Sequence, residues 1–148
     1  MSRASPEIQD LARRLLAFEA ARGNSSAARA DAAARVIEEL RLHLIKLAGV
    51  AGFRSLLSRA LTLAKVEAPS LNIVQIRADG SLEGFDEIEG SREGEVGAAA
   101  GQAGTILVAN LLELLMTFIG KPLTLRLVHV TWPEASMDKV NLITEENS

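Results

Sequence analysis

The run Val96–Gly120, VGAAAGQAGTILVANLLELLMTFIG, decides the fold, because its only charge is Glu113. A segment this apolar is either the central helix of a packed core or a membrane span. Its concentrated hydrophobic part is the fourteen residues Ile106–Ile119, which cover only about half a bilayer as a helix. The ten strongly apolar residues in that part offer roughly −5 kcal/mol toward insertion, and a carboxylate near mid-span takes back about 2–3 kcal/mol. Asn110, Gln102 and the glycines subtract more, and no basic flank precedes the segment. The expectation is therefore a helix over 95–119 buried at the centre of a bundle, which Leu112→Asp should unfold. A membrane-associated protein anchored by residues 96–120 is the alternative. Gly97, Gly101 and Gly104 fit close approach by another helix. Glu113 is the candidate buried carboxylate: on such a helix it either reaches water along the one polar edge or pairs with an arginine from elsewhere in the bundle.

Upstream of this run the pattern is helical. Ser5-Pro6-Glu7 reads as a start, with a capping hydroxyl, a proline at the first helical position and an acid in the first turn. Ile8, Leu11, Leu15, Leu16 and Phe18 then form an apolar stripe, predicting a helix over 6–22. A second helix is expected over 26–48, with the seam Ala33, Ile37, Leu40, Leu44 and Leu47 at alternating spacings of four and three, as side-by-side packing requires. Gly49 either closes that helix with a left-handed cap or bends it sharply. A third helix over 53–67 presents Phe53, Leu56, Leu57, Ala60, Leu61 and Ala64 on one face and stops at Pro69.

From residue 73 the character changes. Ile73–Arg77 is short and β-branched, Asp79-Gly80 is a strong turn signal, and Ser81–Phe85 returns, which predicts a small hairpin over 73–85. Two strands are marginal alone, so they must lie on the helices. Residues 86–95 are acidic and punctuated by glycine, as a surface loop is. After Gly120-Lys121-Pro122, the segment 123–132 alternates like a strand at first but slips phase at Leu127-Val128. Helix over 123–131 is the preferred reading, strand the other. Residues 133–148 are polar and read as a flexible tail.

The expected architecture is thus mainly α: a single domain, residues 1–132, forming a helical bundle of four to five helices with a small β-hairpin. At 148 residues and 48% apolar composition the chain can bury a real core. The absence of cysteine excludes disulfides and thiolate chemistry and fits a cytoplasmic location. The N-terminus has no hydrophobic core of the secretory kind. The net charge of −3 hides a division: residues 1–65 carry 11 Lys/Arg against 6 Asp/Glu, and residues 66–148 carry 5 against 13. Few aromatic residues accompany the basic ones, so no nucleic acid partner is expected. A protein partner or a homodimer is.

Motifs that carry chemistry are scarce. No phosphate-binding loop, nucleophile elbow or HExxH is present, and His43 and His129 are the only imidazoles. No cofactor and no metal are expected. The stretch 79–90 has an EF-hand flavour, but Asp86 and Gly90 stand where an apolar residue and the bidentate glutamate belong. It reads better as a turn followed by a solvated acidic loop. His43 and Lys46 lie three residues apart on the second helix, so the ammonium sits one turn from the imidazole and can neutralise an incoming phosphoryl group. In this pair the chain resembles the phosphotransfer domains of bacterial signalling, which are helical bundles with an exposed phosphoacceptor histidine. It departs from them at Leu47, where those domains carry glycine. The bland alternative is a half-buried histidine at a helix contact. An acid–base pair of Glu113 with His129 is the remotest option.

The stretches LRLHLIKLAGVAGFRSLLSRALTLAKVEAPSL, ADGSLEGFDE and LLMTFIGKPLTLRLVHVTWPE, about three quarters of the chain, resemble a group of small bacterial proteins of uncharacterised activity. The resemblance implies a stand-alone helical protein and carries no functional residue. The function expected from the sequence is a non-catalytic protein-interaction or regulatory helical module. The alternatives are a phosphotransfer-like domain using His43 and a protein anchored to a membrane.

Overall fold

The computed structural model describes residues 5–22, 32–84 and 95–133. Helix α1 spans Pro6–Arg22, α2 spans Ala32–Glu67, and a 3-10 turn follows at Pro69–Ile73. Strands β1 (Gln75–Ile76) and β2 (Leu82–Glu83) come next, then helices α3 (Glu95–Ile119) and α4 (Lys121–Thr131). The fold is mainly α with one small antiparallel hairpin. Expected positions 26–31, Phe85 at the end of the hairpin, positions 86–94 of the acidic loop and the tail from residue 134 lie outside the described residues.

The apolar run is the centre of the molecule. Ala103, Leu107, Val108, Leu111, Leu112 and Leu115 of α3 are all buried, and α3 packs most extensively against α2 and then against α1. Because α3 is approached from several sides, its apolar residues cover most of its circumference rather than one stripe. No described helix is long and apolar enough to cross a membrane.

Helix α1 begins as its sequence demands. The Ser5 hydroxyl accepts from the Ile8 amide at 3.4 Å, and Glu7 lies in the first turn where the helix dipole favours an anion. Ile8, Leu11, Ala12 and Leu15 are buried, and the same row ends in a charged residue, Glu19, only 2% exposed.

The two helices expected over 26–48 and 53–67 are both present within Ala32–Glu67 and meet at a sharp bend. Gly49 lies at φ 79°, ψ 167°, which is the positive-φ extended region rather than the left-handed helical one, so the chain bends there instead of capping. The bend also ends the predicted seam early. Ala33, Ile37, Leu40 and Leu44 are buried, but Leu47 is 60% exposed and Val36 takes a place in the core instead. Beyond the bend Phe53, Leu57, Ala60, Leu61 and Ala64 return to the interior.

A second break of the same kind separates α3 from α4. Gly120 sits at φ 90°, ψ 154°, and Pro122 falls in the first turn of α4. Residues 123–131 are helical, with Thr124, Leu127 and Val128 buried at spacings of three and four, and the helix begins two residues earlier than expected, at Lys121.

The hairpin pairs Gln75 with Glu83 and Ile76 with Leu82, so residues 73 and 74 belong to the preceding turn and its exit. Its loop closes through Arg77 N–H to Ser81 O at 2.8 Å and Gly80 N–H to Arg77 O at 2.9 Å. Gly80 carries the positive φ that a three-residue loop needs. The tip is fastened to α2, where Arg41 donates to the Asp79 carbonyl at 3.0 Å while gripping Glu38 through Nε and Nη2. That bidentate hydrogen bond to Glu38, opposed by partial desolvation and helped by the Glu38 and Asp79 charges, raises the Arg41 pKa.

Candidate functional site

A groove of about 680 Å³ lies between α2 and the end of α3. Its long wall is α2 around and after the bend, made by Ala48, Gly52, Ser55, Leu56, Ser58, Arg59, Thr62 and Leu63. From Gly52 to Leu63 these residues run about 16 Å along the helix axis. The opposite wall is the end of α3, Phe118 and Ile119. Small side chains on α2, those of Ala48, Gly52, Ser55 and Ser58, leave the space unfilled. Phe118 is 63% exposed, a large aromatic ring held at the surface beside an apolar wall.

His43 and Lys46 lie on α2 before the bend. His43 is half-buried, with Nδ1 3.1 Å from the Glu39 carbonyl and 3.4 Å from Thr131 Oγ1. Thr131 Oγ1 donates its own proton to the Leu127 carbonyl at 2.8 Å, so it offers a lone pair to the imidazole. Two acceptors facing Nδ1 select the tautomer protonated there, which leaves the lone pair on Nε2. Lys46 is exposed one turn further on, beside the exposed Leu47.

Glu113, the expected buried carboxylate, is only half-buried. It takes the first of its two expected courses, at the polar edge of α3, and there Oε1 accepts from the Ser5 backbone N–H at 3.4 Å. That position sets its negative charge at the N-terminus of α1, where the dipole favours it.

The buried carboxylate is Glu19. Its Oε2 accepts from Trp132 Nε1–H at 2.8 Å, its Oε1 lies 3.3 Å from Arg35 Nε, and its backbone carbonyl accepts from Arg35 Nη2 at 2.8 Å. Trp132 is 1% exposed. The cluster therefore ties the end of α1, the start of α2 and the end of α4 together. It was not anticipated, although a signal was present: Glu19 falls on the row of Ile8, Ala12 and Leu15, where a charge must find partners. Its groups are all engaged with one another, so its chemistry is structural.

In the stretch with EF-hand flavour, Asp79 Oδ1 accepts from Ser81 N–H at 2.9 Å and from Ser81 Oγ at 2.7 Å. The Ser81 hydroxyl and then its amide hold the Asp79 carboxyl below its ordinary value of 3.8. Residues 79–81 thus form a self-satisfied turn. No group of three or more His, Asp or Glu among the described residues is arranged to hold a metal ion. His129 lies on α4 and Glu113 on the polar edge of α3. The chain matches no protein-family model, no curated protein and no solved structure.

Proposed function

We propose that the chain is a non-catalytic protein-interaction module, working in the bacterial cytoplasm, that receives a segment of another protein in the groove between α2 and α3. The observation that supports this reading is Phe118, an aromatic ring left 63% exposed at the edge of a long apolar groove. Exposed aromatics beside unfilled apolar walls are the anchors around which binding energy concentrates. The polar clusters of the described residues support the same reading, because Glu19, Arg41 and Asp79 each serve to fasten one element to another.

The test is a selection of peptides from a random library on the immobilised protein, with every enriched peptide measured on wild type and on Phe118→Ser. Because Phe118 is mostly exposed, this change leaves the core intact, which circular dichroism checks. Enriched peptides that lose binding on Phe118→Ser support the module. Peptides that bind both proteins equally, or no enrichment, refute it.

A second reading is favoured by the His43 tautomer. With Nδ1 facing Glu39 and Thr131, Nε2 carries the lone pair that would attack a phosphoryl group, and Lys46 stands one turn away to balance its charge. Acid-labile phosphate on wild type and none on His43→Gln, after incubation with a phosphohistidine or aspartyl-phosphate donor, would establish it.

A further inference from the structure

We infer that the segment received by the α2–α3 groove carries a single carboxylate beside its apolar side chains, and that Arg59 binds it. This rests on the interaction reading above and adds the chemistry of the partner. Among the described residues that line the groove, Arg59 is the one cation and none is Asp or Glu. Arg59 is exposed and forms no ion pair with a described residue. By contrast, Arg14, Arg35, Arg41 and Arg77 are each paired with a carboxylate of the chain itself.

The sequence of α2 sorts the groove's chemistry across its width. At about 100° per residue, Leu56 and Leu63 fall together on the flank nearer the core, and Ser55, Ser58 and Thr62 fall on the other, with Gly52 and Arg59 between them. Burial follows the same order: Leu56 and Leu63 are half-buried, while Arg59 and the three hydroxyl residues are exposed. The inner side of this wall is therefore apolar, and its outer lip carries hydroxyls and one guanidinium. Phe118 and Ile119 of α3 add apolar surface across the groove. A ligand that matches both buries apolar side chains against Leu56, Leu63, Phe118 and Ile119 and directs one anionic group at Arg59. The planar guanidinium binds a carboxylate through two parallel hydrogen bonds. Ser55 and Ser58 stand on the same flank as further donors, whereas the Thr62 hydroxyl already donates to the Ser58 carbonyl at 3.0 Å. One cation balances one charge, so a carboxylate matches it better than a doubly charged phosphate. A second copy presenting this same face offers no carboxylate, because a two-fold interface joins a patch to its own copy.

The probes are the peptides enriched from the random library, resynthesised with both ends blocked so that every charge belongs to a side chain. Each Asp or Glu is changed in turn to its amide and to Lys. At one position, on wild type, the acidic peptide should bind about three- to tenfold more tightly than the amide version, the size of one ion pair partly removed from water. On Arg59→Gln that preference should vanish, and on Arg59→Glu the Lys version should bind best. Arg59 is exposed, so both variants keep the fold, which circular dichroism checks.

Enriched peptides without Asp or Glu, or acidic and amide versions that bind wild type equally, would overturn the carboxylate; loss of their binding on Phe118→Ser would leave the interaction module standing. An acid preference that survives Arg59→Gln would overturn it too, by placing the anion elsewhere. No enrichment, or binding untouched by Phe118→Ser, would overturn both. Binding to phosphatidylglycerol vesicles without binding to any peptide would overturn the inference in favour of a membrane surface. A dimer by light scattering that Phe118→Ser dissociates would overturn it in favour of a second copy.

Discussion

Replacing Glu19 by alanine removes the one charge that three helices share. Trp132 is 1% exposed, so its Nε1–H, now 2.8 Å from Glu19 Oε2, would be left without a partner and out of reach of water. A stranded buried donor costs about 1–3 kcal/mol. The Arg35 side chain is 35% exposed, so water takes over most of its solvation and its loss adds about 1 kcal/mol or less. The loss of about 3 kcal/mol expected in total is at the lower end of the range for breaking buried ion pairs because of that exposure. Glu19→Gln keeps an oxygen that can accept from Trp132 and should cost only about 1 kcal/mol. Urea denaturation reports both, followed by far-ultraviolet circular dichroism and by the emission of Trp132, the single tryptophan of the chain. Glu19→Ala within about 0.5 kcal/mol of wild type, the ordinary spread of a surface substitution, would refute the reasoning.

Thr124 Oγ1 is buried without a hydrogen-bond partner, so Thr124→Val, which keeps the shape and removes the hydroxyl, should stabilise by about 1 kcal/mol, seen as a raised Tm. Gly80→Ala should destabilise by about 2 kcal/mol in the same assay, because φ is +90° and a Cβ would stand 2.9 Å from the buried ring of Phe53. The Asp79 carboxyl is held below 3.8, so its support of the hairpin tip is complete above that pH. It is lost as pH falls through the lower folded value, which amide NMR of Ser81 should follow and Asp79→Asn should abolish. A hairpin whose amide shifts stay constant through that acid range would contradict the role given to Asp79.

Much of the fold is written in the sequence because it depends on apolar spacing. The bounds of α3 follow from an uncharged run ending at glycine, and the helical state of 123–131 follows from the phase slip at Leu127-Val128. The predicted place of Leu47 failed because periodicity assumes a straight helix, and a ψ of 167° at Gly49 is not visible in residue identity. Glu113 and Glu19 show the same limit for polar groups. Glu113 drew attention as the lone charge in an apolar run, yet it finds the polar edge of α3 and the start of α1. Glu19, at the end of the apolar row of Ile8, Ala12 and Leu15, is the one enclosed, because its partners Trp132 and Arg35 arrive from distant positions. The groove was not legible at all. It is lined by two stretches far apart in the sequence, Ala48 to Leu63 and Phe118 to Ile119, whose meeting no local pattern announces.

Amide chemical-shift mapping of the protein titrated with a peptide enriched from the random library tests the central claim most directly. The account predicts saturable shifts concentrated at residues 48–63 and at Phe118 and Ile119, and little change around Glu19 or the hairpin. Shifts spread over another face, or no shift at saturating peptide, would contradict it.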